Sequence, residues 1–130
     1  MPSLLQVTGA FFLLPAVYAF AIGDDVTTLL ATVLAYTSVR YHSANPGKRP
    51  YWVTVLYPFL AKVCVLTYTT LCMSNFGVNW WFKFGALGGM TSMGLYVMEK
   101  VSGFALTNLL QLVGCAAWLA YLHGTVVDCS

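Results

Sequence analysis

Apolar residues run along this chain in five long blocks, roughly Leu4–Ile22, Val26–Tyr41, Tyr51–Met73, Trp80–Met98 and Val101–Leu122, parted by short polar or breaker-rich connections. Blocks of about 20 apolar residues have the length of a transmembrane helix, because a rise of ~1.5 Å per residue carries them across the hydrocarbon of a bilayer. The pattern predicts an all-α fold: a polytopic integral membrane helical bundle, one transmembrane domain over residues 1–130, with about five spans. Gly23-Asp24-Asp25 is a tight connection, so the first two blocks are expected to form a helical hairpin. Ser43 to Pro50 (SANPGKRP) has the strongest breaker chemistry, since Asn-Pro-Gly makes a turn and Pro50 blocks backward extension of the next helix. Ser74-Asn75-Phe76-Gly77 divides the third block from the fourth, whereas Glu99-Lys100 barely divides the fourth from the fifth. Four spans plus one tilted or re-entrant helix is therefore the alternative. Pro15 and Pro58 fall inside blocks, where each removes a backbone donor and predicts a kink.

Composition sharpens the class. Hydrophobic residues make up 59% of the chain and charged residues 8%, against about 25% charged in soluble domains. The 130 residues leave no room for a soluble domain beside the spans. A net charge of +2 without a Lys/Arg-dense patch argues against nucleic acid as a partner. The aromatic groups Phe11-Phe12, Tyr51-Trp52, Trp80-Trp81-Phe82 and Trp118 with Tyr121 suit interfacial belts or packing surfaces. Phe11 to Val17 followed by Ala19-Phe20-Ala21 mimics a secretory signal, but without a basic start it reads as a retained first span. No Arg-rich amphipathic presequence is present, so import into an organelle would use internal signals.

Charge placement orients the chain. Arg40, Lys48 and Arg49 cluster at the second connection, while the first carries two aspartates. Basic loops stay on the side from which the chain inserts, which puts the N-terminus inside with Lys100, and Asp24, Asp25, Asp128 and the C-terminus outside. The basic cluster also suits the headgroup of an anionic lipid.

One charge stands apart. Lys62 lies near the middle of the third block, close to the bilayer midplane, where an ammonium group is tolerated only with a partner or a watery path. The carboxylates Asp24, Asp25, Glu99 and Asp128 lie at span ends or in the tail. In the fifth block Thr107, Asn108 and Gln111 form a polar stripe at helical spacing. With that span starting at Val101, Gln111 is expected about as deep as Lys62, and a midplane contact among Lys62, Asn108 and Gln111 is the expectation. Such bonds are worth ~0.6–2 kcal/mol in lipid, less than the ~2.5–3.5 kcal/mol insertion penalty of a lysine. The deficit points to water, a lipid headgroup, another subunit's carboxylate, or a neutral lysine.

The fourth block carries Gly85-Ala86-Leu87-Gly88-Gly89. Gly85 and Gly89, four apart, make a small helix-packing face for this chain or for a partner chain. Cys64, Cys72, Cys115 and Cys129 show neither a C-x-x-C pair nor Cys/His ligand spacing, and buried in spans they act as small hydrophobes. No metal and no cofactor are expected from these residues.

Ser38-Val39-Arg40-Tyr41-His42, at the inner end of the second span and preceded by Leu13-Leu14-Pro15-Ala16-Val17-Tyr18, resembles the first motif of the CREST superfamily, which includes alkaline ceramidases and progestin/adipoQ receptors. The resemblance covers about residues 10–60 and implies a seven-span, zinc-dependent hydrolase, with Ser38 and His42 as the residues carried over. The family also uses an aspartate in the third span and a His-x-x-x-His pair in the last. Here Tyr57 and Pro58 stand where that aspartate would be, and His123 ends the fifth span on the opposite face. A zinc site needs three or four converging ligands.

Three readings follow. The first is a non-catalytic structural or accessory subunit of a larger membrane complex. Its partners are membrane lipids, anionic ones among them, and other integral membrane subunits, and an energy-converting membrane such as the mitochondrial inner membrane is the expected home. The second is a small dimeric transporter or channel around Lys62, Asn108 and Gln111. The third is a CREST-like zinc-dependent lipid hydrolase.

Overall fold

Pro15 decides how the chain begins. The computed structural model describes residues 4–43 and 46–129, and among them every regular element is helical. The first apolar block is not one uninterrupted helix but two pieces, α1 (Leu4–Ala10) and α2 (Leu13–Ala21). Pro15 has no N–H to give the carbonyl of Phe11, and its ring crowds that carbonyl. The backbone tightens instead: Phe11 N–H donates to Thr8 O and Phe12 N–H to Gly9 O, both at 3.2 Å. Pro15 then sits in the first turn of α2, where a missing donor costs little.

The α2 end is a full Schellman motif. Gly23 takes φ +83°, Gly23 N–H donates to Phe20 O at 3.2 Å, and Asp24 N–H reaches Ala19 O at 2.9 Å. Asp24 at once caps α3 (Asp25–Ser43), accepting from Thr27 N at 3.1 Å and from the Thr27 hydroxyl at 2.7 Å. Two helix ends thus share three residues, and α1 and α2 both pack on α3. Asn45 of the Asn-Pro-Gly turn lies outside the described residues; Pro46–Lys48 form one 3₁₀ turn.

α4 (Tyr51–Ser74) continues through Pro58. α5 (Trp80–Ser102) starts at Asn79, whose Oδ1 accepts from Trp81 N at 3.0 Å and Phe82 N at 3.2 Å while its Nδ2 donates to Gly124 O at 3.2 Å. It ends at Gly103, φ +79°, not at the Glu99-Lys100 break expected from the sequence. Glu99 ties a turn rather than ending a helix. Its carboxylate accepts from Leu106 N at 3.1 Å and from the Thr107 hydroxyl at 2.8 Å, closing the turn into α6 (Thr107–Cys129). An acid here also faces the positive end of α6.

The chain divides into two compact units, residues 1–64 and 65–130, with α4 running from one into the other. In the second unit α5 lies along α6, and a core of Cys72, Phe82 and Ala86 packs with Tyr121. Cys64, Cys72 and Cys115 carry buried free thiols. The side chains of Asp128 and Cys129 lie outside the described residues.

Two helices are long and apolar enough to cross a membrane, α4 and the Thr107–Val127 part of α6. α3 has the length, at 19 residues, but Thr27, Thr28, Thr32, Thr37, Ser38 and Arg40 dilute its apolar content; α5, at 23 residues, is diluted by four glycines and by Lys83, Glu99 and Lys100. Seven hydroxyls are satisfied by the local backbone. Thr28, Thr32, Thr37, Thr54, Thr70, Thr91 and Ser102 each donate to the carbonyl four residues back, at 2.6–3.1 Å, so they need no solvent partner.

Candidate functional site

In the first unit, chemistry gathers where α3 ends and α4 begins. Arg49 lays its guanidinium over the Tyr41 ring, Cζ 3.9 Å from the centroid, and donates from Nε to Tyr41 O at 2.6 Å. That carbonyl lies in the last turn of α3, where the helix no longer supplies a donor. The Tyr41 ring meets Tyr57 at 4.9 Å and His42 at 5.1 Å, and His42 meets Tyr57 edge-on at 5.6 Å. Arg40 and Lys48 are exposed beside this cluster, and Arg49 is half-buried in it. Of the three residues expected to meet lipid headgroups, one is therefore fixed and two reach outward. Tyr36 and Trp52 stack nearby, centroids 6.3 Å apart and 13° from parallel.

Ser38 and His42 stand one turn apart on α3, the serine fully buried and the histidine half-buried. Among the described residues no three of His, Cys, Asp and Glu come together as a metal site. Tyr57 is the side chain of α4 that the structure brings against His42.

Lys62 is exposed on α4. It follows Tyr51 by eleven residues and precedes Ser74 by twelve, which is ~16–18 Å of helix on either side. Trp52, Val55 and Phe59 precede it at spacings of 3, 4 and 3 and are 49%, 52% and 63% exposed. The lysine thus closes a surface stripe that is otherwise apolar. α6 starts at Thr107 rather than at the Val101 edge expected from the sequence. Gln111 is only four residues into its helix and 1% exposed, sealed inside the second unit. Asn108 is half-buried one residue past the start of α6.

The glycine face is occupied within the second unit. A Cβ on Gly89 would fall 3.0 Å from Thr69 Cβ and 3.2 Å from Thr69 Cγ2, and one on Gly85 would meet Cys72 Sγ at 2.5 Å and Ala117 O at 3.3 Å. Gly88 does the same toward α6, 2.7 Å from Ala117 Cβ. Gly85 and Gly89 therefore let α4 approach, and Gly85 and Gly88 let α6 approach. Gly88 belongs to the same Gly-x-x-Gly-Gly run, one residue off the face that Gly85 and Gly89 share. At the other cations, Lys83 rests over Trp80 at 4.7 Å and Lys100 over Tyr96 at 5.5 Å.

No family model matches the chain, and neither a curated protein nor a solved structure does.

Proposed function

We propose that the chain is a multi-pass membrane subunit, its helices set in the bilayer as about five spans with the N-terminus inside, that serves as a non-catalytic component of a larger membrane complex. Burial supports the membrane placement. Only 28% of the apolar window of α4 and 33% of that of α6 is buried within the chain, whereas a core helix of a soluble protein is covered on nearly every side. Large apolar side chains such as Val17, Phe20, Val26, Leu29, Phe84 and Val97 stand more than half exposed, a surface that water would penalise and lipid accepts.

The observation that carries the assembly reading is Lys62, halfway along α4 and on its surface. In a bilayer that surface meets either lipid or another protein. An ammonium group against lipid at that depth costs ~2.5–3.5 kcal/mol, and only side chains near helix ends escape by snorkelling. A second membrane protein packed over the exposed stripe of Trp52, Val55 and Phe59 would keep that ammonium group away from lipid. The burial of Gln111 and its place one turn into α6 take it out of the set a transport path would use.

The test is solubilisation of native membranes in mild detergent, comparing tagged wild type with Lys62→Leu. Wild type should co-purify with another membrane protein at fixed stoichiometry, and Lys62→Leu should accumulate as a stable free chain. Both forms running as the same free chain would refute the reading.

A further inference from the structure

We propose that Arg40, Lys48 and Arg49 form a specific site for the phosphate of an anionic phospholipid, built on Tyr41 at the junction of α3 and α4. Arg49 is the core of it. Its Nε is taken by the Tyr41 carbonyl at 2.6 Å and its plane lies on the Tyr41 ring. That ring is held in turn by Tyr57 and His42. The side-chain entropy that an arginine normally surrenders on binding is already spent, and the bond to Tyr41 O uses Nε rather than the terminal nitrogens. A guanidinium fixed by Nε and by its face presents its remaining edge as a planar fork, the shape that matches two phosphate oxygens.

Arg40 precedes Tyr41 and Lys48 precedes Arg49, and both are exposed. They add charge beside a fork they do not have to shape. Within the first unit, Asp24 caps α3 and Asp25 begins it, both at the end of the helix away from Arg40. The aromatic pair Tyr36 and Trp52, 55% and 49% exposed and stacked, lies one turn inward from Arg40 along α3. Exposed tyrosine and tryptophan belong at headgroup depth, so a lipid whose phosphate meets Arg49 would lay its glycerol and upper acyl chain along this pair. A soluble phosphate would leave the pair without a role, and that favours a lipid.

The full chain in detergent, probed by native mass spectrometry and by thermal melting, tests this with dioleoyl-phosphatidylglycerol, dioleoyl-phosphatidylcholine and inorganic phosphate. Wild type should retain phosphatidylglycerol about tenfold more than phosphatidylcholine, with a higher melting midpoint, and inorganic phosphate should leave the midpoint where it is. Arg49→Lys keeps the charge and loses the fork, so it should lose most of that preference. Arg40→Gln/Lys48→Gln alters two exposed side chains only, folds as wild type does, and should weaken the preference by a smaller factor. Equal retention of both lipids overturns the proposal. So does Arg49→Lys binding like wild type, which would make the attraction diffuse charge, or inorganic phosphate reproducing the stabilisation, which would make the ligand a soluble anion.

Discussion

Alanine at Gly89 and at Gly94 should move stability in opposite directions, although both positions lie on α5 and the chemical change is identical. Every glycine-to-alanine change inside a helix gains propensity, about 0.8–1 kcal/mol. At Gly94 a Cβ meets nothing within 4 Å, so Gly94→Ala should stabilise by ~0.5–1 kcal/mol. At Gly89 the new methyl falls 3.0 Å from Thr69 Cβ and 3.2 Å from its Cγ2, closer still to Oγ1. Rotating the threonine relieves the oxygen but not Cβ, which is fixed to the α4 backbone. The helices must therefore move apart, and overpacking against an atom fixed to the backbone costs ~2–3 kcal/mol, the upper part of the usual range. Net of the propensity gain, Gly89→Ala should destabilise by ~1–2 kcal/mol, leaving the two variants roughly 1.5–3 kcal/mol apart. SDS-induced unfolding of the purified chain in mixed micelles, followed by tryptophan fluorescence, reads the difference, since Trp118 is buried and its ring meets Tyr68 at 5.0 Å. Two variants shifting in the same direction, or Gly89→Ala as stable as wild type, would refute the close approach of α4 and α5 at this point.

Asn79→Ala removes both capping bonds of α5 and the bond to Gly124 O, and should cost ~1–2 kcal/mol in the same unfolding assay; Asn79→Asp, which keeps the cap and loses only the Gly124 bond, should recover about half. Glu99→Ala frees Leu106 N and the Thr107 hydroxyl, for an expected loss of ~1–3 kcal/mol and faster amide exchange at Leu106, with Lys100→Gln as the neutral control. Pro15→Ala restores the donor to the Phe11 carbonyl and should fuse α1 to α2, seen as slowed amide exchange at Ala10 to Phe12.

The helices were legible wherever a breaker carried its own chemistry. Gly23-Asp24-Asp25 is short because one glycine closes α2 and the next residue caps α3, and both signals are in the sequence. The start of α5 was legible as a block edge at Trp80, although hydropathy does not reveal its cause, the cap at Asn79. The start of α6 was misplaced by six residues because Gly103-Phe104-Ala105-Leu106 is apolar. Loops in a membrane protein need not be polar, so hydropathy alone runs through them; Gly103 was the signal that marked the stop. Glu99 looked like a divider for the same reason, and its pairing with Thr107 depends on a turn that spacing alone does not draw. Lys62 and the glycine face were visible as residue types in the sequence; that the glycines are filled from α4 and α6 while the lysine is exposed required coordinates. The lock of Arg49 on Tyr41 joins residues eight apart through a turn, and no periodicity announces it.

A photo-crosslinking amino acid at Phe59, one turn from Lys62 on the exposed stripe of α4, tests the assembly claim most directly when irradiated in native membranes. The expected product is one discrete protein adduct whose yield falls when Lys62→Leu is added. Adducts to lipid alone, unchanged by Lys62→Leu, would contradict it.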